Sequence, residues 1–308
     1  MQLFQDPVPA GEAEQVQAIV EAVLTKQKAG HKPGQLARRD VHAKSHGTVA
    51  ASFRVLPQAC NIGLFSKPAS YDALVRFSNG AFGPGGFDIL PNVRGLALKL
   101  FGVPGPKLLP GDENSTEHDF LFSNDPTFFV RTIEDMLLIT QGKIGKLSLG
   151  AKLRIAGSLK LMSNPLHGSY FSQVPYQLGE RACKYALIPQ KAPPLVSLPR
   201  AYDRDYLRHA VETELRRHEV KYTFAVQLQR SGESIADSTV PWRGALVPVA
   251  ELVFLKLSRA LLESDGEALS FNPWRALAEH QPLGWPGRVR KEVYAADFKW
   301  RSEQNHNS

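Results

Sequence analysis

Two short stretches carry residue types that can transfer protons and hold anions. In the first, Arg39 stands three residues before His42, ahead of an alternating apolar segment that predicts a strand. The second contains Arg76 and Ser78, which strand geometry places on one face. Histidine exchanges protons near neutral pH, and guanidinium groups bind carboxylates. Each stretch alone also suits an ordinary turn or a solvated strand face, so the function depends on what accompanies them.

A third group lies near the C-terminal end. Arg290, Tyr294 and Arg301 are separated by four and then seven residues, and on a helix these offsets bring them close to one face. Pro286 suits the first turn of that helix. A cation beside a tyrosine favours its phenolate form. The ordinary alternative is a buried tyrosine with salt-bridged arginines.

A polar turn separates a short apolar run from an aromatic pair. The run His118–Ser123 stops at Asn124-Asp125-Pro126, and Phe128 and Phe129 open a predicted helix through about Thr140. An asparagine at such a position normally forms the turn.

The elements that must position these residues are mostly strands. Residues 12–29 predict an amphipathic helix, and residues 203–218 predict a second one. Alternating or apolar segments predict strands at 49–55, 72–78, 93–101, 182–188, 220–228 and 251–257. Because loops rather than regular helices join most of them, an antiparallel sheet or barrel of the α+β class is predicted.

Composition sets broad bounds on the function. The 308 residues are 43% hydrophobic and 22% charged, as in soluble globular proteins, and can bury a substantial core. Cys60 and Cys183 are too few for a disulfide framework. With no signal-peptide pattern at the N-terminus and no apolar run that could span a bilayer, a cytoplasmic location is expected.

The net charge of +7 suggests an anionic partner. Zinc-finger spacing and RNA-binding signatures are absent from the sequence, so nucleic acid is not expected. Residues 142–161 hold five cations and no acid, namely Lys143, Lys146, Lys152, Arg154 and Lys160. Such a segment is typical of a surface helix, and contact with an anionic membrane is the second hypothesis for it.

Together, the motifs resemble the haem catalase superfamily in its short form, the catalase-related peroxidases. Five motifs appear in the order that the family has, over about residues 36–301. They are Arg39-Asp40-Val41-His42-Ala43-Lys44, Val75-Arg76-Phe77-Ser78, Arg94-Gly95-Leu96-Ala97-Leu98-Lys99, Asn124-Asp125-Pro126-Thr127-Phe128-Phe129 and Arg290 to Tyr294. The resemblance implies an α+β fold with an antiparallel catalase-like β-barrel surrounded by helices.

The resemblance also implies a set of site residues. His42 and Asn124 match the distal histidine and asparagine, and Ser78 matches the hydroxyl that orients the histidine. Tyr294 matches the axial ligand of the iron of haem b, and Arg301 the partner of the tyrosinate oxygen. The remaining expected haem contacts are Arg39, Val41, Arg76, Phe129, Met136 and Arg290, of which Arg39 and Arg76 would hold the propionates.

Two of these matches depart from the family pattern. Counted back from Phe128, Asn124 aligns with the second of two catalase asparagines, whereas the functional one is the first. Met136 stands near the position of an aromatic residue that commonly packs on the haem. Methionine fills such space well.

The implied function is a haem peroxidase that reduces hydrogen peroxide or organic hydroperoxides through a ferryl haem, with an organic electron donor and weak catalase activity. A fatty-acid hydroperoxide isomerase or lyase of the allene oxide synthase type is an alternative, although those enzymes carry threonine where this chain has Val41. A non-enzymatic haem-binding protein is another alternative.

The family suggests one catalase-like haem domain over residues 1–308, with an N-terminal helix at 12–29. The barrel would span about 36–260, and C-terminal helices with the proximal ligand about 271–301. It also suggests a homo-oligomer, with a dimer as the simplest form.

Overall fold

A computed structural model describes residues 6–57, 59–80, 83–191, 203–257 and 266–306. The predicted antiparallel barrel is confirmed. Nine strands are found in the described residues: β1 Lys44–Val55, β2 Ser70–Asn79, β3 Arg94–Leu100, β4 His118–Ser123, β5 Tyr170–Phe171, β6 Tyr176–Leu178, β7 Arg181–Pro189, β8 Val220–Leu228 and β9 Leu246–Phe254.

Eight of these strands close into a barrel. The order β5-β4-β3-β2-β1-β9-β8-β7 is completed by antiparallel pairing of β5 with β7. The short strand β6 pairs with β7 outside this ring. Closure removes the edge strands that would otherwise expose unpaired backbone groups.

Alternation along β1 explains how the barrel fills. Val49, Ala51, Phe53 and Val55 are buried as predicted, and Phe53 packs edge-on against Phe224 of β8 at 5.2 Å between ring centroids. Fully burying a large apolar side chain contributes about 1.5–3 kcal/mol. The barrel interior is therefore a packed core, and a binding site must lie outside it.

Five α-helices surround the barrel in the described residues: α1 Glu12–Gly30, α2 Ile133–Thr140, α3 Leu149–Ser158, α4 Tyr206–Leu215 and α5 Trp285–His306. Single turns of 3₁₀ helix occur at Gly63–Phe65, Ile144–Lys146, Pro165–His167 and Ala278–His280. Helix α1 buries the predicted apolar stripe against Val289 and Val293 of α5. A buried hydrogen bond of 2.5 Å from Gln27 to Asp297 fixes the two helices together.

Several predicted bounds are wrong. Helix α2 begins at Ile133, because Thr132 caps it by accepting a hydrogen bond from Asp135 N; Phe128 and Phe129 precede it in a loop. Strand β9 begins at Leu246 and ends at Phe254, before the predicted end at 257. Within the described residues of the 271–301 range, the helical elements are the 3₁₀ turn Ala278–His280 and α5, which carries Tyr294. Residues 258–260 of the predicted barrel lie outside the described residues.

Candidate active site

Two adjoining cavities lie between the barrel and helices α1 and α5. Their volumes are about 90 and 280 Å³. The smaller cavity has a strongly cationic wall, and the larger one is mostly apolar. Both are lined by Val23, Asp40, Val41, His42, Ser123, Gln173, Arg290, Val293 and Tyr294. Residues from opposite sides of one space can therefore act on the same ligand.

His42 lies just before β1 and is held in an unusual conformation. Its φ angle is +59°, in the left-handed region that non-glycine residues seldom adopt. Its Nδ1 lies 3.0 Å from Ser78 Oγ on β2, and its carbonyl accepts a hydrogen bond from Arg76 Nη1. A Cβ at Gly95 would lie 2.4 Å from the ring, so only glycine leaves room for it. Strands β2 and β3 thus fix the imidazole facing both cavities.

The surroundings of His42 keep the imidazole neutral. Burial, followed by the positive charges of Arg76, Arg290 and Arg39, lowers the pKa of His42 to about 3. Burial disfavours the charged form, and nearby cations disfavour it further. At neutral pH the ring can therefore accept a proton. Because Nδ1 is occupied by Ser78, Nε2 is the nitrogen left for a ligand.

Three arginines converge on one buried acid at the end of the smaller cavity. Arg39 and Arg76 each lie 2.8 Å from Glu267 Oε1, and Arg301 lies 3.9 Å from Oε2. Burial alone would raise the pKa of Glu267, but the three cations lower it below its usual value. Glu267 gives no signal in the sequence, because nothing local indicates that distant arginines meet there.

Tyr294 lines both cavities from helix α5 with Arg290 beside it. Burial, with Asp297, raises the pKa of Tyr294, and the charge of Arg290 offsets this in part. In the chain alone, the charge of Arg290 is therefore not enough to ionise the phenol of Tyr294 at neutral pH. Arg301 instead donates to Asp297 Oδ2 at 2.9 Å and to the Glu267 carbonyl. Arg290 is the cation that acts on the tyrosine.

The structure separates Asn124 from the site. Its Oδ1 accepts a hydrogen bond of 2.9 Å from the backbone N–H of Arg94, and the residue lines neither cavity. The preceding Ser123 lines both, with a buried Oγ that has no hydrogen-bond partner among the described residues. Gln173, at φ +60°, brings an amide to the same space. The distance in sequence from Phe128 could have identified Ser123, because Ser123 stands where the first of the two catalase asparagines aligns.

The predicted apolar contacts lie on the cavity walls. Val41 lines both cavities, and Phe129 and Met136 line the larger one. Arg290 lies over the ring of Phe128, at 5.4 Å from its centroid. The predicted residues other than Asn124 are therefore brought together around the two cavities.

Comparisons with known proteins point to one family. No family model matches the chain. A catalase-related peroxidase of Mycolicibacterium paratuberculosis is 27% identical over 249 residues, covering 75% of this chain and 78% of that protein. A fungal catalase superposes with a TM-score of 0.71 at 15% identity, and catalase A of Saccharomyces cerevisiae with 0.69 at 15%. The chain is thus similar in sequence to a catalase-related peroxidase, and it has the fold of catalases.

This catalase-like chain is shorter than the catalases it matches. It is covered over 100% and 98% of its length, but spans 66% of the fungal catalase and 67% of the yeast one. The shared part contains the barrel and the helices that line the two cavities.

The cavity residues fit a haem. The guanidinium groups at one end suit carboxylates, and the apolar walls of the larger cavity suit a porphyrin ring. Arg290 Nη1 and Ser123 Oγ are buried without hydrogen-bond partners in the described part of the chain, as groups that await a ligand are. A tyrosine oxygen is one of the known axial ligands of haem iron.

We expect mild acid to lower the free energy of unfolding already at pH values above those at which carboxylates take up protons. Burial lowers the pKa of His42, His46 and His280 to about 3, and that of His118 well below normal. Below about pH 6.5 the unfolded chain binds protons that the folded chain excludes. The free energy of unfolding should then fall by about 2 kcal/mol per histidine between pH 7 and 5.

Denaturant unfolding of haem-free protein at pH 7 and 5 measures this change. His46→Gln should weaken the dependence on pH, because it removes one of the buried neutral imidazoles. Equal stability at the two pH values would contradict the buried neutral histidines.

Proposed function

We propose that the protein is a haem-dependent peroxidase that reduces hydrogen peroxide or organic hydroperoxides with electrons from an organic donor. In broad terms it is an oxidoreductase of the catalase and peroxidase type. The observation that carries the proposal is the pairing of a neutral His42 and Tyr294 around one space with three arginines at its end. Weak catalase activity, one haem domain over the whole chain and a homodimer belong to the same proposal.

The residues that would hold the haem come from both sides of the cavities. Tyr294 would ligate the iron, and Arg39, Arg76 and Arg301 would bind the propionates beside Glu267. Val41, Phe129, Met136 and Arg290 would contact the ring. Haem would supply the electrons that reduce the O–O bond, and the organic donor would replace them.

His42 would move the proton during this reduction. Its Nε2 takes a proton from the hydroperoxide oxygen that carries it and returns it to the leaving oxygen, so that an alcohol or water departs neutral. Ser78 supports this step by holding Nδ1 and fixing the ring. General acid–base help of this kind contributes roughly a hundred- to ten-thousand-fold.

Ser123 takes the part in this proposal that the sequence resemblance gave to Asn124. Its hydroxyl can donate to a peroxide oxygen, since no other group occupies it among the described residues. Gln173 holds its own amide in place by donating from Nε2 to the Thr127 carbonyl at 2.7 Å. The hydroxyl and the amide could then orient the substrate in the space that His42 and Tyr294 also line.

A fatty-acid hydroperoxide isomerase or lyase is the second candidate, favoured by the apolar lining of the larger cavity. Such an enzyme rearranges its substrate without consuming a donor. Turnover of a lipid hydroperoxide in the absence of donor would therefore support this candidate over the peroxidase. A haem protein with neither activity would be a binding protein only.

Replacing His42 with alanine should separate catalysis from haem binding. The kcat/KM for donor oxidation by a hydroperoxide should fall a hundred-fold or more, because the proton acceptor is lost, while haem content stays at the wild-type level. The assay is steady-state donor oxidation normalised to bound haem. The control is His218→Ala, at an exposed position distant in sequence. Wild-type activity in His42→Ala would refute both enzymatic candidates.

Alanine at the two neighbouring turn residues should give opposite results. Ser123→Ala should keep stability and lower kcat/KM by about a hundred-fold, as loss of one positioned donor does. Asn124→Ala should cost about 1–3 kcal/mol of stability, because the backbone N–H of Arg94 loses its acceptor, with little change per bound haem. Both variants need the peroxidase assay and denaturant unfolding. The reverse pattern would return the distal role to Asn124.

A further inference from the structure

Residues 142–161, here called the basic segment, present apolar side chains to solvent. The segment contains the 3₁₀ turn Ile144–Lys146 and helix α3. Leu149 and Leu153, one helical turn apart on α3, are 73% and 63% exposed, and Leu161 is 64% exposed. Exposed leucines grouped on one face usually mark a contact surface.

Cations surround these leucines, and most have no acidic partner. Lys160 pairs with Asp125 at 3.1 Å. Lys143 and Lys152 instead donate to the Gln141 amide and the Gly145 carbonyl. Among the described residues, no carboxylate lies within 4.0 Å of Lys143, Lys146, Lys152 or Arg154. The surface therefore combines apolar groups with uncompensated positive charge.

The inner face of the same segment belongs to the larger cavity. Ile144, Ile155 and Leu159 line that cavity. Ile144 is also 50% exposed, so it lies at the boundary between the cavity and the outer surface. The exposed leucines and the apolar cavity are thus two faces of one short segment.

A second copy of the chain is a poor occupant of this surface. A two-fold contact places the same patch on both subunits, so the cations of one copy would meet those of the other. Like charges brought together at an interface are unfavourable. An anionic lipid surface supplies both the negative charge and an apolar layer for the leucines.

We propose that the basic segment docks on the surface of an anionic phospholipid membrane, with Leu149, Leu153 and Leu161 in the acyl boundary. A second step rests on the proposed function: hydroperoxides of membrane lipids enter the larger cavity past Ile144 directly from the bilayer. The occupant is thus an anionic phospholipid surface, and the substrate class is a hydroperoxide with a long acyl chain.

Co-sedimentation with vesicles tests the docking without any enzymatic readout. Haem-loaded protein is mixed with vesicles of phosphatidylcholine alone or with added phosphatidylglycerol. Wild type should bind the anionic vesicles, and increasing salt should weaken binding. The triple variant Lys143→Gln/Lys146→Gln/Lys152→Gln should bind about a hundred-fold more weakly, at about fivefold per cation. Leu149→Ser/Leu153→Ser should bind about a hundred-fold more weakly as well.

Matched controls remove similar groups elsewhere. Val240→Ser/Val247→Ser replaces apolar residues that are 52% and 51% exposed, and Lys28→Gln/Lys32→Gln/Lys221→Gln removes three exposed cations. Both should bind within about twofold of wild type. Absence of binding to anionic vesicles at low salt, or equal losses in the controls, would overturn the docking. So would a wild-type dimer that Leu149→Ser/Leu153→Ser converts to a monomer with unchanged vesicle binding.

The substrate step is tested on the same variants. Oxidation of donor by a phospholipid hydroperoxide in anionic vesicles should fall about as much as vesicle binding falls. Oxidation by a small water-soluble hydroperoxide should stay unchanged, because His42 and the cavity are intact. Equal turnover of the vesicle-borne substrate by all variants would refute entry from the bilayer. If wild type did not oxidise the donor with the small hydroperoxide, the proposed function would be refuted, whereas the docking would not be affected.

Discussion

The site depends on the ion pairs that three arginines make with the carboxylate of Glu267. Arg39 precedes β1, Arg76 lies on β2 and Arg301 lies on α5, and all three reach this one acid. Three buried cations without it would repel one another and force these elements apart, and removing one partner of a buried ionic group costs several kcal/mol. The acid therefore links the barrel to α5 through arginines that line the smaller cavity. A ligand with carboxylates would bind at the same arginines and add to this anchoring.

The protonation states of His42 and Tyr294 follow from their burial and from the arginines beside them. Burial is the main cause that keeps His42 neutral, and the charges of Arg76, Arg290 and Arg39 lower its pKa further, so two of the arginines that suit carboxylates also disfavour a protonated imidazole. Tyr294 remains a phenol in the chain alone, because burial outweighs Arg290. In the proposed function a bound ferric ion would favour loss of that proton, so ionisation of Tyr294 would be coupled to cofactor binding. The fold alone therefore keeps His42 unprotonated, whereas Tyr294 would become a tyrosinate ligand only when the proposed cofactor binds.

Local sequence patterns predicted the main helices and strands well. The stripe of α1 and the alternation of β1 are confirmed, and Arg290, Tyr294 and Arg301 all line the smaller cavity from α5, because each pattern depends on the period of one element. What depends on contacts between distant residues was missed: Glu267, Gln173 and the two-residue strand β5 that closes the barrel. At the turn that contains Asn124, the residue type was a misleading signal. The asparagine accepts a hydrogen bond from the backbone of Arg94, and the neighbouring Ser123 lines the cavities instead. Helix α2 begins late because Thr132, rather than the aromatic pair, caps it.

Titration of haem-free protein with ferric haem, followed by absorption spectroscopy, tests the central claim most directly. Wild type should bind one haem per chain and show a ferric tyrosinate-type spectrum. Tyr294→Phe should lose that spectrum, because phenylalanine has no oxygen to ligate iron, while Tyr71→Phe on β2, which lines neither cavity, should match wild type. Failure to bind haem, or identical spectra for wild type and Tyr294→Phe, would contradict the assignment of the cavities as a haem site.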